Sequence, residues 1–186
     1  MTTLTIYRDD LQGEPERVSG FEAIAASLAG IGVQFERWEA AQPLLPGAAE
    51  DEVLQAYRGP VAALNERYGF QSIDVVSLAP DHPDRETLRK KFLAEHRHAD
   101  FEVRFFVAGK GLFYLHVGDR VHLVLCERGD LISVPAGTTH WFDMGERPHF
   151  TCIRFFTTPG GWEGEFTGSR IADSFPRFDE HVAGLR

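Results

Sequence analysis

The segment that decides the fold is residues 96–102, which read His-Arg-His-Ala-Asp-Phe-Glu. Alternate side chains of an extended segment point to the same side, so the imidazoles of His96 and His98 can reach a single point. Glu102 lies four residues beyond His98 and has the same parity. Imidazole and carboxylate groups are ligands that divalent transition metals accept. The segment is a candidate metal site, although a His-X-His pair taken alone is more often an ordinary surface or core pair.

The sequence after this segment alternates with the period of two that is typical of β-strands. The alternating runs are separated by turn residues at 109–111, 118–119, 129–130 and 135–137. We interpret the Gly-Lys-Gly at 109–111 as a hairpin that reverses the chain. Many short strands with frequent turns predict a sandwich or a barrel. One strand face carries Phe101, Val103, Phe105 and Val107, and the opposite face carries Glu102, Arg104 and Phe106.

The N-terminal part of the chain, residues 1 to about 80, has a mixed helix and strand pattern. A further helix follows Pro83 and should end before His96, with acidic residues at its start and basic residues near its end. The other expected elements are strands at 4–7 and 33–38, a helix at 21–28 capped by Ser19, and helical spacing from 53 to 64.

The composition is close to the average for globular proteins and disfavours two classes of function. The chain has 186 residues, 43% of them hydrophobic and 25% charged, with a formal net charge of −9. It contains no dense run of Lys and Arg, which argues against binding nucleic acid through phosphate contacts. Neither a signal peptide nor a membrane-spanning stretch is apparent, and Cys126 and Cys152 form no paired motif. We expect a cytoplasmic monomer with no nucleic-acid or membrane partner.

A second motif lies downstream and ends in another histidine. Residues 129–140 have the spacing Gly-X5-Pro-X-Gly-X2-His, and His140 is its last residue. This motif resembles the second motif of the cupin superfamily, and the spacing His-X-His-X3-Glu-X6-Gly over residues 96–109 resembles the first. The sequence departs from them at Lys90, where the first motif usually has Gly, and at Met144, where the second often has Asn. Neither position supplies a ligand.

The resemblance implies a mainly β fold, a cupin barrel (a double-stranded β-helix or jelly roll) with a few flanking helices in the N-terminal half. We expect one cupin domain over residues 1–186. Within it, residues 1–80 would be a mixed α/β elaboration, residues from about 95 to 157 the metal-binding barrel core, and residues 158–186 a C-terminal extension. This extension has a loop-like sequence, and we expect three of its apolar side chains to pack back on the barrel, namely Phe166, Ile171 and Phe175.

The resemblance also implies that one metal ion is bound by His96, His98, Glu102 and His140. Three neutral imidazoles and one carboxylate suit Fe(II), Ni(II), Mn(II) or Co(II) better than an ion that prefers thiolates. A structural zinc site would be closed and four-coordinate, usually with Cys ligands. Four protein ligands on an octahedral ion would leave room for a chelating substrate.

Flanking runs outside the two motifs resemble the acireductone dioxygenase family. Generic cupins share the metal motifs but not these flanks. The resemblance covers most of the chain and is weakest between residues 8 and 30 and after Pro176. The runs that carry it are residues 35–38, 69–78, 102–107, 130–135, 140–145 and 166–168.

The family resemblance implies an enzyme of methionine salvage that uses one Fe(II) or Ni(II) ion per monomer. Its substrates would be O2 and the acireductone 1,2-dihydroxy-3-keto-5-methylthiopentene. The iron form would give 4-methylthio-2-oxobutanoate and formate, and the nickel form 3-methylthiopropanoate, formate and CO. Two alternatives stay open: another cupin oxygenase or isomerase with the same four ligands, and a non-catalytic cupin that binds a metal and a metabolite.

A cation is needed beside the metal if the substrate binds as a dianion. A divalent metal and one carboxylate sum to about +1, and a dianion would bring this to about −1 in a poorly solvated pocket. Arg104 shares strand parity with Glu102 and should point into the same cavity, and Arg154 is a second candidate. We predict that both arginines are catalytic, with Arg104 stabilising the dianion. The alternative for each is a solvated strand face or a salt bridge.

Four large apolar side chains are candidates to line a slot for the methylthio tail, although each could equally be plain core. Glu95 could help to load the metal or support its ligands, or it could simply be solvated. His116, His122 and His149 lack the motif spacing, and we interpret them as structural or surface residues. The candidate tail-slot residues are Phe92, Phe106, Phe142 and Trp162.

Overall fold

The computed structural model describes residues 1–185, and most of its regular structure is β-strand. The strands are β1 Thr3–Arg8, β2 Glu16–Val18, β3 Gln34–Arg37, β4 Ser72–Leu78, β5 His96–Arg97, β6 Glu102–Val117, β7 Arg120–Glu127, β8 Asp130–Val134, β9 Thr139–Asp143, β10 Phe150–Phe156 and β11 Glu165–Phe166. The helices are α1 Phe21–Ala29, α2 Glu50–Ala56, α3 Arg58–Tyr68, α4 Arg85–Phe92 and α5 Phe178–Ala183, with a 3₁₀ turn at Ile171–Ser174.

The strands form two antiparallel sheets that share one long strand, β6, as expected for a cupin barrel. The first half of β6 pairs with β8 and β10, and β10 pairs in turn with β4. The second half of β6 pairs with β7 and β9, and β5 joins this sheet beside β9. The predicted mainly β cupin class is therefore confirmed.

The hairpin predicted at residues 109–111 is wrong, because β6 continues through these residues without reversing. The whole strand is 16 residues long. Gly109 has a φ of 65° and lies so close to the chain after Pro148 that an added Cβ would overlap the carbonyl of His149. A Cβ at Gly111 would overlap the ring of Phe142. The two glycines allow the strand to bend from one sheet into the other, rather than to reverse.

The two faces predicted for β6 are confirmed by the core. Phe106 belongs to the apolar cluster between the sheets, which also contains Phe113 and Phe142. Val103, Phe105 and Val107 face the other way, into a cluster that contains residues of α2 and α3. Helices α2 and α3 therefore cover the outer face of the sheet formed by the first half of β6, whereas α1 packs through Ile24 and Leu28 on the other cluster.

Several local expectations for the N-terminal half need correction. The residue that precedes α1 is Gly20, not the predicted cap Ser19, and no side chain caps this helix end. The helical spacing from 53 to 64 corresponds to two helices, α2 and α3, which meet at Tyr57. The buried ring of Tyr57 packs edge-on against Phe105, 5.8 Å between ring centroids, so the break brings an aromatic side chain onto the sheet.

The C-terminal extension is more structured than a loop. Strand β11 pairs with β5, and α5 follows the 3₁₀ turn. Phe175 is buried and Ile171 packs against the same cluster, as expected, but Phe166 is 51% exposed and does not pack into the core. Within residues 1–185, no helix has the length and apolar character that crossing a membrane would require.

Substitution Gly111→Ala tests the packing at the bend of β6. The added methyl group would overlap the Phe142 ring in a filled core, and we expect a loss of about 2 kcal/mol of unfolding free energy. Chemical denaturation would measure this loss. Gly59→Ala is the control, because its Cβ meets nothing within 4 Å and it lies in α3, where Ala is favoured over Gly. Equal stability of the two variants would contradict the packing argument.

Candidate metal site

The two histidine-containing segments meet where β5 pairs with β9. His96 and His140 face each other directly in this pairing, with ring centroids 4.5 Å apart. His98 follows β5, and its ring centroid is 5.1 Å from that of His96. One ring nitrogen from each of the three histidines lies within 4.8 Å of the others, and all three residues are buried. The structure thus forms a three-histidine group that can hold a metal ion.

The orientation of each imidazole is fixed by a hydrogen bond on the side away from this group. In each case Nδ1–H donates to a backbone carbonyl at 2.8–2.9 Å, which leaves Nε2 as the unprotonated nitrogen. Hydrogen bonds of this kind orient metal-binding histidines and increase the basicity of the ligand nitrogen. The donor and acceptor pairs are His96 with Ala94, His98 with Glu163, and His140 with Thr138.

Glu102 lies beside the three histidines at the start of β6 and is 1% exposed. Its Oε1 accepts a hydrogen bond of 3.0 Å from Nε of Arg104, and its Oε2 is 3.6 Å from Nε2 of His140. Among the described residues, Oε2 of Glu102 and Nε2 of both His98 and His140 are buried without a hydrogen-bond partner. A buried polar atom without a partner costs on the order of 1–3 kcal/mol. A divalent cation would satisfy all three atoms, so the donor set fits a metal.

The protonation states also suit a metal. Burial, followed by the proximity of His140, lowers the pKa of His96 to about 4, and burial also lowers the pKa of His98. Both imidazoles are therefore neutral at neutral pH, as ligands must be. Burial alone would raise the pKa of Glu102, but the charge of Arg104 and the proximity of the His140 imidazole outweigh it and hold that pKa well below its usual range. Glu102 is therefore a carboxylate.

The three-histidine group opens onto a cavity of about 630 Å³. His96 and His98 line one side of it, and both predicted catalytic arginines, Arg104 and Arg154, line it as well. These arginines are direct neighbours across the β6–β10 pairing. Arg154 donates two hydrogen bonds, of 2.8 and 2.7 Å, to the carboxylate of Asp74 on β4. The three-histidine group and the two arginine side chains therefore meet at the same cavity.

Only two of the four predicted tail-slot residues line this cavity, namely Phe92 and Trp162. Phe106 and Phe142 do not, and the prediction for them needs correction, because both are buried in the core between the sheets. The guanidinium of Arg104 lies 5.0 Å from the centroid of the Phe142 ring. Phe106 lies behind Phe142, with ring centroids 6.3 Å apart. These two rings support the arginine rather than line the cavity.

Glu95 has no hydrogen bond to any of the candidate ligands among residues 1–185. It is buried, and its carboxylate bonds to Nδ1 of His116 at 3.1 Å and to the hydroxyl of Thr167 at 2.8 Å. Glu95 therefore does not support the candidate ligands through a hydrogen bond, contrary to one prediction. Its carboxylate instead links β6 to the C-terminal extension. Its side chain points away from the site because it precedes His96 and so has the opposite parity.

Some residues of the site were not among the sequence predictions. Strand β4 forms part of the cavity wall. Its lining residues are Val75, Val76, Ser77 and Leu78. Asp74, also on β4, accepts the hydrogen bonds of Arg154. The mixed polar and apolar run of residues 72–78 could have indicated this strand, but its pairing with β10 spans about half the chain, and no local pattern encodes that pairing.

Known proteins provide a comparison with this geometry. A model of the ARD/ARD′ family matches residues 3–164. An acireductone dioxygenase of Methylococcus capsulatus is 54% identical over 182 residues, covering 98% of this chain and 98% of that protein. The acireductone dioxygenase of Stutzerimonas stutzeri is 54% identical over 181 residues, covering 97% and 100%.

A solved structure extends the comparison to the fold. The acireductone dioxygenase from Bacillus anthracis, whose structure holds a cadmium ion in its active centre, has a TM-score of 0.77 and is 28% identical. The match covers 89% of this chain and 99% of that one. The family match over most of the sequence and the two full-length relatives agree with the cupin architecture and the three-histidine group. The chain therefore belongs to the acireductone dioxygenase family.

Proposed function

We propose that this protein is a metal-dependent dioxygenase of methionine salvage that cleaves 1,2-dihydroxy-3-keto-5-methylthiopentene with O2. The observation that carries the proposal is the joint geometry of the site. Three oriented imidazoles lie close enough to share one ion, the Glu102 carboxylate lies 3.6 Å from the His140 imidazole, and two arginines line the cavity that His96 and His98 also line. The names of the two bacterial relatives identify the same reaction class. A site that only stored metal would not need cations facing its open side.

We further propose that His96, His98, Glu102 and His140 hold one Fe(II) or Ni(II) ion. The set of three imidazoles and one carboxylate is accepted by either metal. When bound, the ion would supply Lewis acidity and a template that orients a chelating substrate. The carbonyl groups that accept hydrogen bonds from Nδ1 keep the three rings turned toward the common centre.

Arg104 stabilises the charge of the bound substrate. Its side chain is 3% exposed and keeps its charge because a guanidinium is not deprotonated in proteins. Among the described residues, it makes one hydrogen bond, from Nε to Glu102, so its two terminal nitrogens are available to an anion. We infer that these nitrogens donate to the enediolate oxygens and favour the dianion, which is electron-rich enough to react with O2. The rings of Phe113 and Phe142 fix the plane of the guanidinium.

Arg154 provides a second cation on the wall formed by β4 and β10. Asp74 binds it through two parallel hydrogen bonds, which set its direction and partly offset its charge. We infer that Arg154 orients the substrate while Arg104 carries the larger part of the charge stabilisation. The apolar tail of the substrate would lie between Phe92, Trp162 and the β4 wall.

The products would depend on which metal the four ligands hold. The iron form would give 4-methylthio-2-oxobutanoate and formate, and the nickel form 3-methylthiopropanoate, formate and CO. In both cases the products contain all the atoms of the substrate and both atoms of O2. We also propose that the chain folds as one domain, since α2, α3 and the C-terminal strand β11 pack on the same barrel. We further propose that it acts as a cytoplasmic monomer.

Substitution His96→Ala should abolish metal binding and activity together. We expect the metal content of the purified protein to fall from about one ion per chain to nearly none, because one of the converging ligands is lost. Elemental analysis and O2 uptake with the acireductone would measure the two effects. His149→Ala is the control, since His149 is exposed and lies outside the three-histidine group. Full activity of the His96 variant without bound metal would exclude the mechanism.

Reconstitution of the apoprotein separately with Fe(II) and Ni(II) would test the proposed products. The iron-loaded protein should release formate and the 2-oxo acid, and the nickel-loaded protein should release CO in addition to formate. Chromatography of the acids and gas analysis would identify them. Binding of the acireductone by the metal-loaded protein without O2 consumption would instead support the non-catalytic alternative.

Substitution Arg104→Met should lower kcat/KM by roughly 100-fold, the loss seen when one charge-stabilising donor is removed from an active site. Metal content, measured with the metal in excess over the chain, should stay near that of the unmodified protein, because Arg104 bonds to Glu102 but is not itself a candidate ligand. Steady-state O2 consumption would give the rate. Arg120→Met, on an exposed position of β7, is the control and should have unchanged kinetics. A fall of less than about threefold for Arg104→Met would remove this arginine from the mechanism.

A further inference from the structure

Residues 157–167, which we call the C-terminal strap, lie against the first metal-binding segment. Strand β11 of the strap pairs with β5, placing Phe166 opposite His96 and Glu165 opposite Arg97. At its last residue, Thr167, the backbone N–H donates to the carbonyl of Glu95 at 3.1 Å. The strap therefore contacts the ligand segment along its length.

The three histidines differ in where their orienting carbonyl comes from. The partners of His96 and His140 are Ala94 and Thr138, each two residues earlier in the same segment. The partner of His98 is Glu163 in the strap, 65 residues away. The orientation of the His98 ring therefore depends on the position of the strap. The rings of His96 and His140 are oriented by carbonyl groups of their own segments.

Asp100 fastens the start of the strap. Its carboxylate accepts hydrogen bonds from the backbone N–H groups of Thr157 and Thr158, at 2.6 and 2.9 Å, and from both of their hydroxyl groups, at 2.6 and 3.3 Å. It also accepts a bond from the N–H of Phe101. Five donors hold one carboxylate that lies between the ligands His98 and Glu102 in the chain.

Two tight turns connect the fastened end to the carbonyl that His98 needs. The N–H of Gly161 donates to the carbonyl of Thr158, and the N–H of Glu163 donates to that of Gly160. The packing at Gly161 leaves no room for a side chain, because an added Cβ would lie 2.8 Å from Oδ2 of Asp100 and 2.7 Å from Cβ of Phe156. The strap is therefore seated directly on the Asp100 carboxylate.

We propose that Asp100 is a positioning residue of the metal centre, which holds the C-terminal strap so that Glu163 orients His98. This inference rests on the proposed function. Within residues 1–185, the Asp100 carboxylate bonds only to its neighbour Phe101 and to the strap, so its effect would reach the metal through His98 rather than through a contact of its own. The strap also carries Trp162 to the cavity, so its position affects the substrate wall as well.

The experiment compares four variants of the full chain, prepared as apoprotein: Asp100→Asn, Asp100→Ala, Gly161→Ala and Gly160→Ala. The asparagine variant keeps the shape of Asp100 but places an NH2 group against N–H and O–H donors. Gly161→Ala displaces the strap while residue 100 remains aspartate, because the added methyl group would overlap Phe156 and press on the Asp100 carboxylate. Gly160→Ala is the matched control, since its Cβ would meet only the carboxylate of Glu163 at an ordinary 3.8 Å.

The probe is Co(II), added alone, with its affinity measured by competition with a chelator and its absorption spectrum recorded. Loss of an outer hydrogen-bond partner of a metal ligand weakens metal binding by about 10- to 100-fold. We expect at least about a tenfold loss and an altered Co(II) spectrum for Asp100→Asn, Asp100→Ala and Gly161→Ala, and neither change for Gly160→Ala. A merely structural role would lower the melting temperature without changing the spectrum.

The outcomes separate this inference from the proposed function. Failure of the unmodified protein to bind Co(II) would overturn both. Tight binding by the unmodified protein, with the same affinity and spectrum in Asp100→Asn and Gly161→Ala, would overturn the role of Asp100 and leave the proposed function standing. If Asp100→Ala does not fold, the comparison of Gly161→Ala with Gly160→Ala decides the question, because both change one glycine of the same turn.

Discussion

The convergence of buried imidazole nitrogens and one carboxylate oxygen is the constraint on which the rest of the structure depends. These atoms lack hydrogen-bond partners among the described residues, so the protein alone does not offset the cost of burying them. The fold keeps them together through two strand pairings: β5 with β9, which places His96 opposite His140, and β6 with β9, which places Leu115 opposite His140. A cation bound at their centre would turn this unfavourable cluster into a stabilising one.

Strand β6 links this centre to both sheets. Its first residue is Glu102, its third is Arg104, and its later residues form the middle of the second sheet. Glu102 and Arg104 are two positions apart on a strand, so their side chains lie on the same face and bond to each other, and Arg104 reaches the cavity. The carboxylate and the cation of the site thus share one rigid element, and neither relies on a flexible loop for its position.

The sequence predicted the parts of the site that depend on local spacing. The alternation within β6 from Glu102 to Val107 and the end of α4 before His96 follow from the 2.0 and 3.6 residue periods, and the Pro-Ala-Gly run predicted the turn before His140. The predicted common parity of His98 and Glu102 does not hold, because residues 98–101 lie outside the strands and bend between them. Local sequence patterns gave wrong or no predictions where contacts between distant residues decide the structure. The Gly-Lys-Gly pattern at 109–111 is compatible with a turn and with a bent strand. The close packing of His149 on Gly109 and of Phe142 on Gly111, which no local pattern reveals, distinguishes the two. The ion pair of Asp74 with Arg154, and the strap beneath Asp100, join residues too far apart for any local pattern to reveal.

The long separation between His98 and its carbonyl partner has a consequence for synthesis. A ribosome releases both histidine motifs well before it releases residue 163, and domains fold largely as complete units. During this interval the nascent chain holds every candidate ligand but lacks the contact that aligns one of them. Alignment of all three imidazoles, and metal binding in that geometry, would therefore follow only after the C-terminal strap has been made.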